Sequence, residues 1–177
     1  MNNLRCHQSA GFSMIEVLVS LIITVVGVLG MVALQSKAIP YTQDSAQRNT
    51  AIMLVDDLVD MIRTAGSCTS ANGCVKPPGS SFATEPAICN PTPAALSAQI
   101  ACWAAQAGRA LPGGKDLLSS SFYICQSLQP GNTAACSSAA GAEIEIQVAW
   151  TVRSAGDCMD TSSSGTTCTY RLRTRLQ

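Results

Sequence analysis

The sequence predicts an α+β protein: a long N-terminal helix, transmembrane and then amphipathic, followed by a small disulfide-rich head built on an antiparallel sheet. Three observations predict it. Residues 12–34 form an aliphatic run whose only charge is Glu16, long enough to cross a bilayer as a helix. Beyond Pro40, apolar residues recur at spacings of three and four, as one face of a helix requires. The remainder is rich in Ser, Thr, Gly, Pro and Cys, and ends in two runs that alternate apolar with polar residues, the period of a half-buried strand.

The bounds are narrow. A chain of 177 residues accommodates one domain plus an accessory segment. Formal net charge is zero, with 12% charged residues, and the basic residues are scattered apart from Arg171, Arg173 and Arg175. No basic stripe exists for nucleic acid to bind. The one histidine, His7, precedes the aliphatic run, so the rest of the chain lacks the residue that Ser-His-Asp and Cys-His catalysis require. There is no phosphate loop and no metal-binding motif. The expectation is a structural protein, not an enzyme, with no cofactor and no metal.

Three accounts of the N-terminus compete. A secretory signal peptide would be cut near Ser36-Lys37-Ala38, but the apolar run exceeds the usual length, contains Glu16, and leaves Pro40 close behind the cut. An uncleaved signal anchor explains the length and gives Glu16 no role, although a carboxylate one turn inside the span can snorkel to the interface. The third account uses every feature: a short polar leader carrying Arg5, then Gly11-Phe12-Ser13-Met14-Ile15-Glu16, then the aliphatic run.

That segment resembles the processing motif of prepilins, with Gly before the cut, Phe after it and Glu at the fifth position beyond. The resemblance implies cleavage between Gly11 and Phe12 by a membrane-embedded prepilin peptidase, N-methylation of Phe12, and retention of the aliphatic run. Glu16 would then meet the Phe12 ammonium of a neighbouring subunit and set its register, because a buried carboxylate needs a partner. Gly27 and Gly30 lie one turn apart in the run; such glycines permit close helix approach but are also common in membrane spans.

Pro40 should kink the helix without necessarily ending it. Past it, Ile52, Val55, Val59 and Ile62 form a stripe widened by Leu54, Leu58 and Met61, Asp56, Asp57 and Asp60 take the opposite side, and Gly66 stops the helix. Residues 11–64 as a block, including Tyr41-Thr42-Gln43-Asp44-Ser45 and Gln47-Arg48-Asn49, resemble the PilV-type minor pilins of bacterial type IV pili. The head resembles them more loosely, through Leu111-Pro112-Gly113-Gly114 and the strand ending near Trp150. The expected division is leader 1–11, transmembrane or filament-core half-helix 12–38, amphipathic half-helix 39–65 and head 66–177.

In the head, residues 66–91 read as a loop. Thr92-Pro93 is a helix start, with Leu96, Ile100, Trp103 and Ala107 on one face and Gly108 at the end. Residues 120–128 are a candidate strand. Residues 142–153 are the clearest one, with Ile144, Ile146, Val148, Trp150 and Val152 on one face. A partner places Cys168, Tyr170, Leu172 and Leu176 opposite Thr169, Arg171, Arg173 and Arg175. Antiparallel pairing would bring Glu145 to Arg173 or Arg175 on a solvated outer face.

Nine cysteines are present, none in a Cys-x-x-Cys pair. Cys6 would leave with the leader, and an even set remains, as expected of disulfides in an oxidising compartment. That set admits on the order of a hundred pairings. Local spacing suggests Cys68–Cys74, Cys89–Cys102, Cys125–Cys136 and Cys158–Cys168.

The resemblance implies a single-pass inner-membrane protein of a Gram-negative bacterium, its head in the periplasm, that later enters an extracellular pilus. Its partners would be other minor pilins, the major pilin, the peptidase, the inner-membrane assembly machinery and, before assembly, membrane lipid. Its expected function is to prime type IV pilus assembly, supporting twitching motility and adhesion. The alternatives are a minor pseudopilin of a type II secretion system, and a tip adhesin with a ligand-binding head.

Overall fold

The computed structural model describes residues 11–131, 136, 143–159 and 165–175. Residues 1–10 with Cys6 and His7, and positions 142 and 176 of the two expected strands, lie outside the described residues. The element order is α1 (Met14–Ala65), α2 (Leu96–Ala110), α3 (Gly114–Leu117), β1 (Tyr123–Ser127), β2 (Glu143–Thr151) and β3 (Thr167–Thr174). This is the expected α+β fold: a long apolar N-terminal helix, a small antiparallel sheet and four disulfides. Helix α1 continues through Pro40. The chain divides into two compact units, Met1–Pro40 and Tyr41–Gln177.

In the first unit, the Ser13 carbonyl receives the amides of Glu16 and Val17 and so opens α1. Its apolar side chains are exposed throughout. The hydroxyls of Ser20, Thr24 and Ser36 donate to carbonyls three or four residues back, which satisfies them without water, as an apolar solvent demands.

In the second unit, the rest of α1 supplies one wall of the core. Leu54, Val55, Leu58, Val59 and Ile62 are buried, while Asp56, Asp57 and Asp60 are exposed. Gly66 ends the helix at φ +73°, its amide reaching the Ile62 carbonyl. Ile100, Trp103, Ala104 and Ala107 of α2 pack on this wall, and the Trp103 indole N–H donates to the Leu54 carbonyl at 2.7 Å. The sheet has the order β1-β2-β3, all antiparallel, with Glu145 opposite both Cys125 and Arg173. Lys76 bridges the outer edge of β1 through Ile124, exchanging backbone hydrogen bonds of 2.7 and 2.9 Å.

Two expectations require correction. Helix α2 begins at Leu96, after Thr92-Pro93, and runs through Gly108. The Pro93 carbonyl instead accepts the Gln99 side-chain amide at 2.7 Å. Gly108 serves close packing, not termination: a Cβ there would lie 3.1 Å from Leu118 Cδ1 and 3.5 Å from Lys115 Cα. The second correction concerns the outer sheet face, which is only partly solvated: Arg171 and Arg175 are exposed on it, but its centre is not. Glu145 and Gln147 are buried: the Gly131 amide, beyond the end of β1, reaches Glu145, while Gln147 donates to the Ser121 carbonyl and accepts from Arg171.

Residues 111–113 form the turn between α2 and α3. Gly113 has φ +67°, and a Cβ on it would fall 2.6 Å from the Thr151 side chain, so only glycine fits. The Pro112 carbonyl accepts the Thr151 amide at 2.8 Å, docking this turn on the end of β2.

Candidate functional site

The residues of the expected processing and assembly site occupy the start of the first unit. Gly11, Phe12 and Ser13 precede the first helical residue, Met14. Phe12 is 83% exposed. Glu16 is exposed in the first turn of α1, where a carboxylate opposes the positive end of the helix dipole. Among the described residues it has no ion-pair partner. Around it, Val17, Leu18, Val19 and the following aliphatic residues face outward. Added Cβ atoms at Gly27 and Gly30 would meet nothing within 4 Å, so neither glycine is required by packing within this chain. The run is the one described helix long and apolar enough to cross a membrane, with a mean hydropathy of 2.8 over its best window.

The second unit contains two buried polar centres beyond the residues expected to act. Asp44, 1% exposed, accepts the Trp150 indole N–H and the Met159 amide, each at 2.8 Å. It thereby joins α1 to the end of β2 and to the segment entering the Cys158–Cys168 bridge. A signal was present: Asp44 stands seven and eleven residues ahead of the buried Ala51 and Val55, on the same helical face. Its position within a polar stretch disguised it.

The second centre is Glu145. Its carboxylate accepts the Tyr123 hydroxyl at 2.7 Å, the Gly131 amide at 2.9 Å and Arg173 at 3.2 Å, with Arg171 at 3.4 Å. Burial pushes this carboxyl up, but Gly131, Tyr123 and the two guanidiniums outweigh burial and hold it below the ordinary range. Burial, with the adjacent carboxylate, pushes the Tyr123 hydroxyl strongly up. Arg173 also contacts Glu143 at 2.6 Å, and Arg175 contacts Glu143 at 3.0 Å; hydrogen bonds from these arginines hold the Glu143 carboxyl down. The arginine cluster is therefore committed to carboxylates within the sheet.

The eight head cysteines form the bridges Cys68–Cys74, Cys89–Cys102, Cys125–Cys136 and Cys158–Cys168. Each closes a local loop, spanning 6 to 13 residues of sequence.

Comparison with known families finds the prokaryotic N-terminal methylation motif at residues 6–32. Searches of curated proteins and of solved structures return no match. The motif, an apolar N-terminal helix suited to membrane anchoring and the disulfide-bonded α+β head support a type IV pilin or pseudopilin. They suggest a structural, non-enzymatic protein whose partners belong to pilus assembly.

Proposed function

We propose that the chain is a minor pilin of the PilV type, which helps prime type IV pilus assembly and is then built into the filament. Residues 1–11 are the leader, removed between Gly11 and Phe12 with methylation of the new amine. Residues 12–38 serve first as the membrane anchor and then in the filament core, residues 39–65 are the amphipathic half of the helix, and the head is presented to the periplasm of a Gram-negative cell and later outside it. The observation that carries this reading is Glu16: a carboxylate without an ion-pair partner among the described residues, on an apolar, outward-facing stretch of helix, a few residues from where cleavage would create an ammonium. A neighbouring subunit's Phe12 supplies the missing charge, since an unpaired charge in an apolar core is strongly unfavourable. Other minor pilins, the major pilin and the inner-membrane machinery are the partners, and twitching motility and adhesion depend on the protein through the pili it helps to build.

Mass spectrometry of the mature N-terminus, in membrane and sheared-pilus fractions, tests this directly. N-methylated Phe12 in both fractions is expected. An intact Met1, or a start at Ile39, would overturn the reading. Recovery only with a secretion pseudopilus would assign the chain to type II secretion. Glu16→Ala should leave membrane insertion intact while depleting the protein from sheared pili at least about tenfold, the loss of one buried charge pair.

A further inference from the structure

The last turns of α1, helix α2 and the loop over residues 85–93 enclose a groove of about 730 Å³. The loop has no regular structure, yet it is tethered three times to α2. Cys89 is bonded to Cys102, the Pro93 carbonyl accepts Gln99, and Glu85 accepts two hydrogen bonds from Arg109 at 3.0 Å each. Those bonds hold the Glu85 carboxyl below its ordinary value. The groove wall is thus built in advance, which lowers the ordering cost of binding.

Its chemistry is asymmetric. Met61, Pro93 and Trp103 give it an apolar lining, while Asp57 and Asp60 stand along the α1 side. Among the described residues Asp57 has no ion-pair partner, and Asp60 meets only Arg63 at 3.9 Å, both exposed. Arg109, the one cation lining the groove among the described residues, is already paired with Glu85. The groove therefore presents uncompensated negative charge beside apolar surface.

We propose that this groove binds a cationic segment of a partner protein, the stem of a Lys or Arg lying along Met61 and Pro93 while its charge meets Asp57 and Asp60. Long basic side chains suit such a site because the methylene stem and the charged head find different surroundings. Charge complementarity favours this occupant over an anionic surface or an acidic peptide. The inference does not depend on the pilus-subunit reading.

The two tryptophans provide the test. Trp103, itself 3% exposed and bonded to the Leu54 carbonyl, forms part of the groove wall, whereas Trp150 does not line the groove and is bonded to Asp44. The full chain, ¹⁵N-labelled in a neutral detergent, is titrated with the peptides acetyl-Lys-Leu-Lys-amide, acetyl-Gln-Leu-Gln-amide and acetyl-Glu-Leu-Glu-amide. The lysine peptide should move the Trp103 indole signal saturably and leave that of Trp150 in place. Asp57→Asn/Asp60→Asn should weaken the effect about fivefold, as loss of two exposed charge contacts predicts, and added salt should weaken it likewise. Asp56→Asn, outside the groove, should change nothing. An unmoved Trp150 signal shows that each variant is folded. The proposal fails if the lysine peptide leaves Trp103 unmoved to millimolar concentration. It also fails if the glutamine or glutamate peptide acts equally, or if the double variant binds as well as the native chain.

Discussion

Replacing Asp44 with alanine leaves two donors, the Trp150 indole N–H and the Met159 amide, without their buried acceptor. The expected loss is about 3 kcal/mol, seen as a melting temperature lower by roughly 10 °C in tryptophan fluorescence of the detergent-solubilised protein. Glu145 makes a pH-dependent contribution. Its folded-state pKa lies below the ordinary 4.5, so the stability it confers is fully present above about pH 4.5 and is lost as the pH falls through the folded value. Glu143 carries the same sign. Glu145→Gln should cost about 2–3 kcal/mol at pH 7 and flatten the decline in melting temperature between neutral pH and pH 3. An equally steep decline in the variant would refute the assignment. Both residues are ordinary acids in the sequence. Helical spacing places Asp44 on the buried face of α1, but only the fold shows what each carboxylate bonds, because those partners come from far away: the Met159 amide for Asp44 and the Gly131 amide for Glu145.

At the scale of elements, α1 was legible because its apolar spacing continues for many turns, and the two long strands because their alternation is regular. The boundaries of α2 were not. Thr92-Pro93 carries a sound local start signal, but the Cys89–Cys102 bridge and the Gln99–Pro93 hydrogen bond hold that segment outside the helix. Gly108 carries a stop signal that close packing against Leu118 overrides. Two glycines separate conformational from steric cost. Gly66 has positive φ and open space, whereas Gly113 has positive φ and Thr151 at 2.6 Å. Gly66→Ala should cost about 1 kcal/mol and Gly113→Ala about 1–3 kcal/mol more, measured by chemical denaturation. Equal costs would mean that the docking of residues 111–114 on β2 is dispensable.

At the scale of the whole molecule, the two units should respond differently to reduction. The four described disulfides all lie within Tyr41–Gln177. Each is expected to contribute about 2–4 kcal/mol. Reductant should therefore abolish the near-ultraviolet signal of the head, while the helicity of the detergent-embedded N-terminal segment survives. Loss of both signals together would show that the units fold as one. The sequence by itself determined the membrane-length helix, the methylation motif with its glutamate and the two alternating strands, and its local spacing suggested the cysteine pairs that the structure forms. All of these depend on neighbours close in the chain or on a repeating period. The tertiary structure alone decided which polar residues are buried, where α2 begins and ends, why residue 113 must be glycine, and that a tethered loop makes an acidic groove with α1. Those outcomes depend on what distant segments bring to the same place, and no local pattern encodes that.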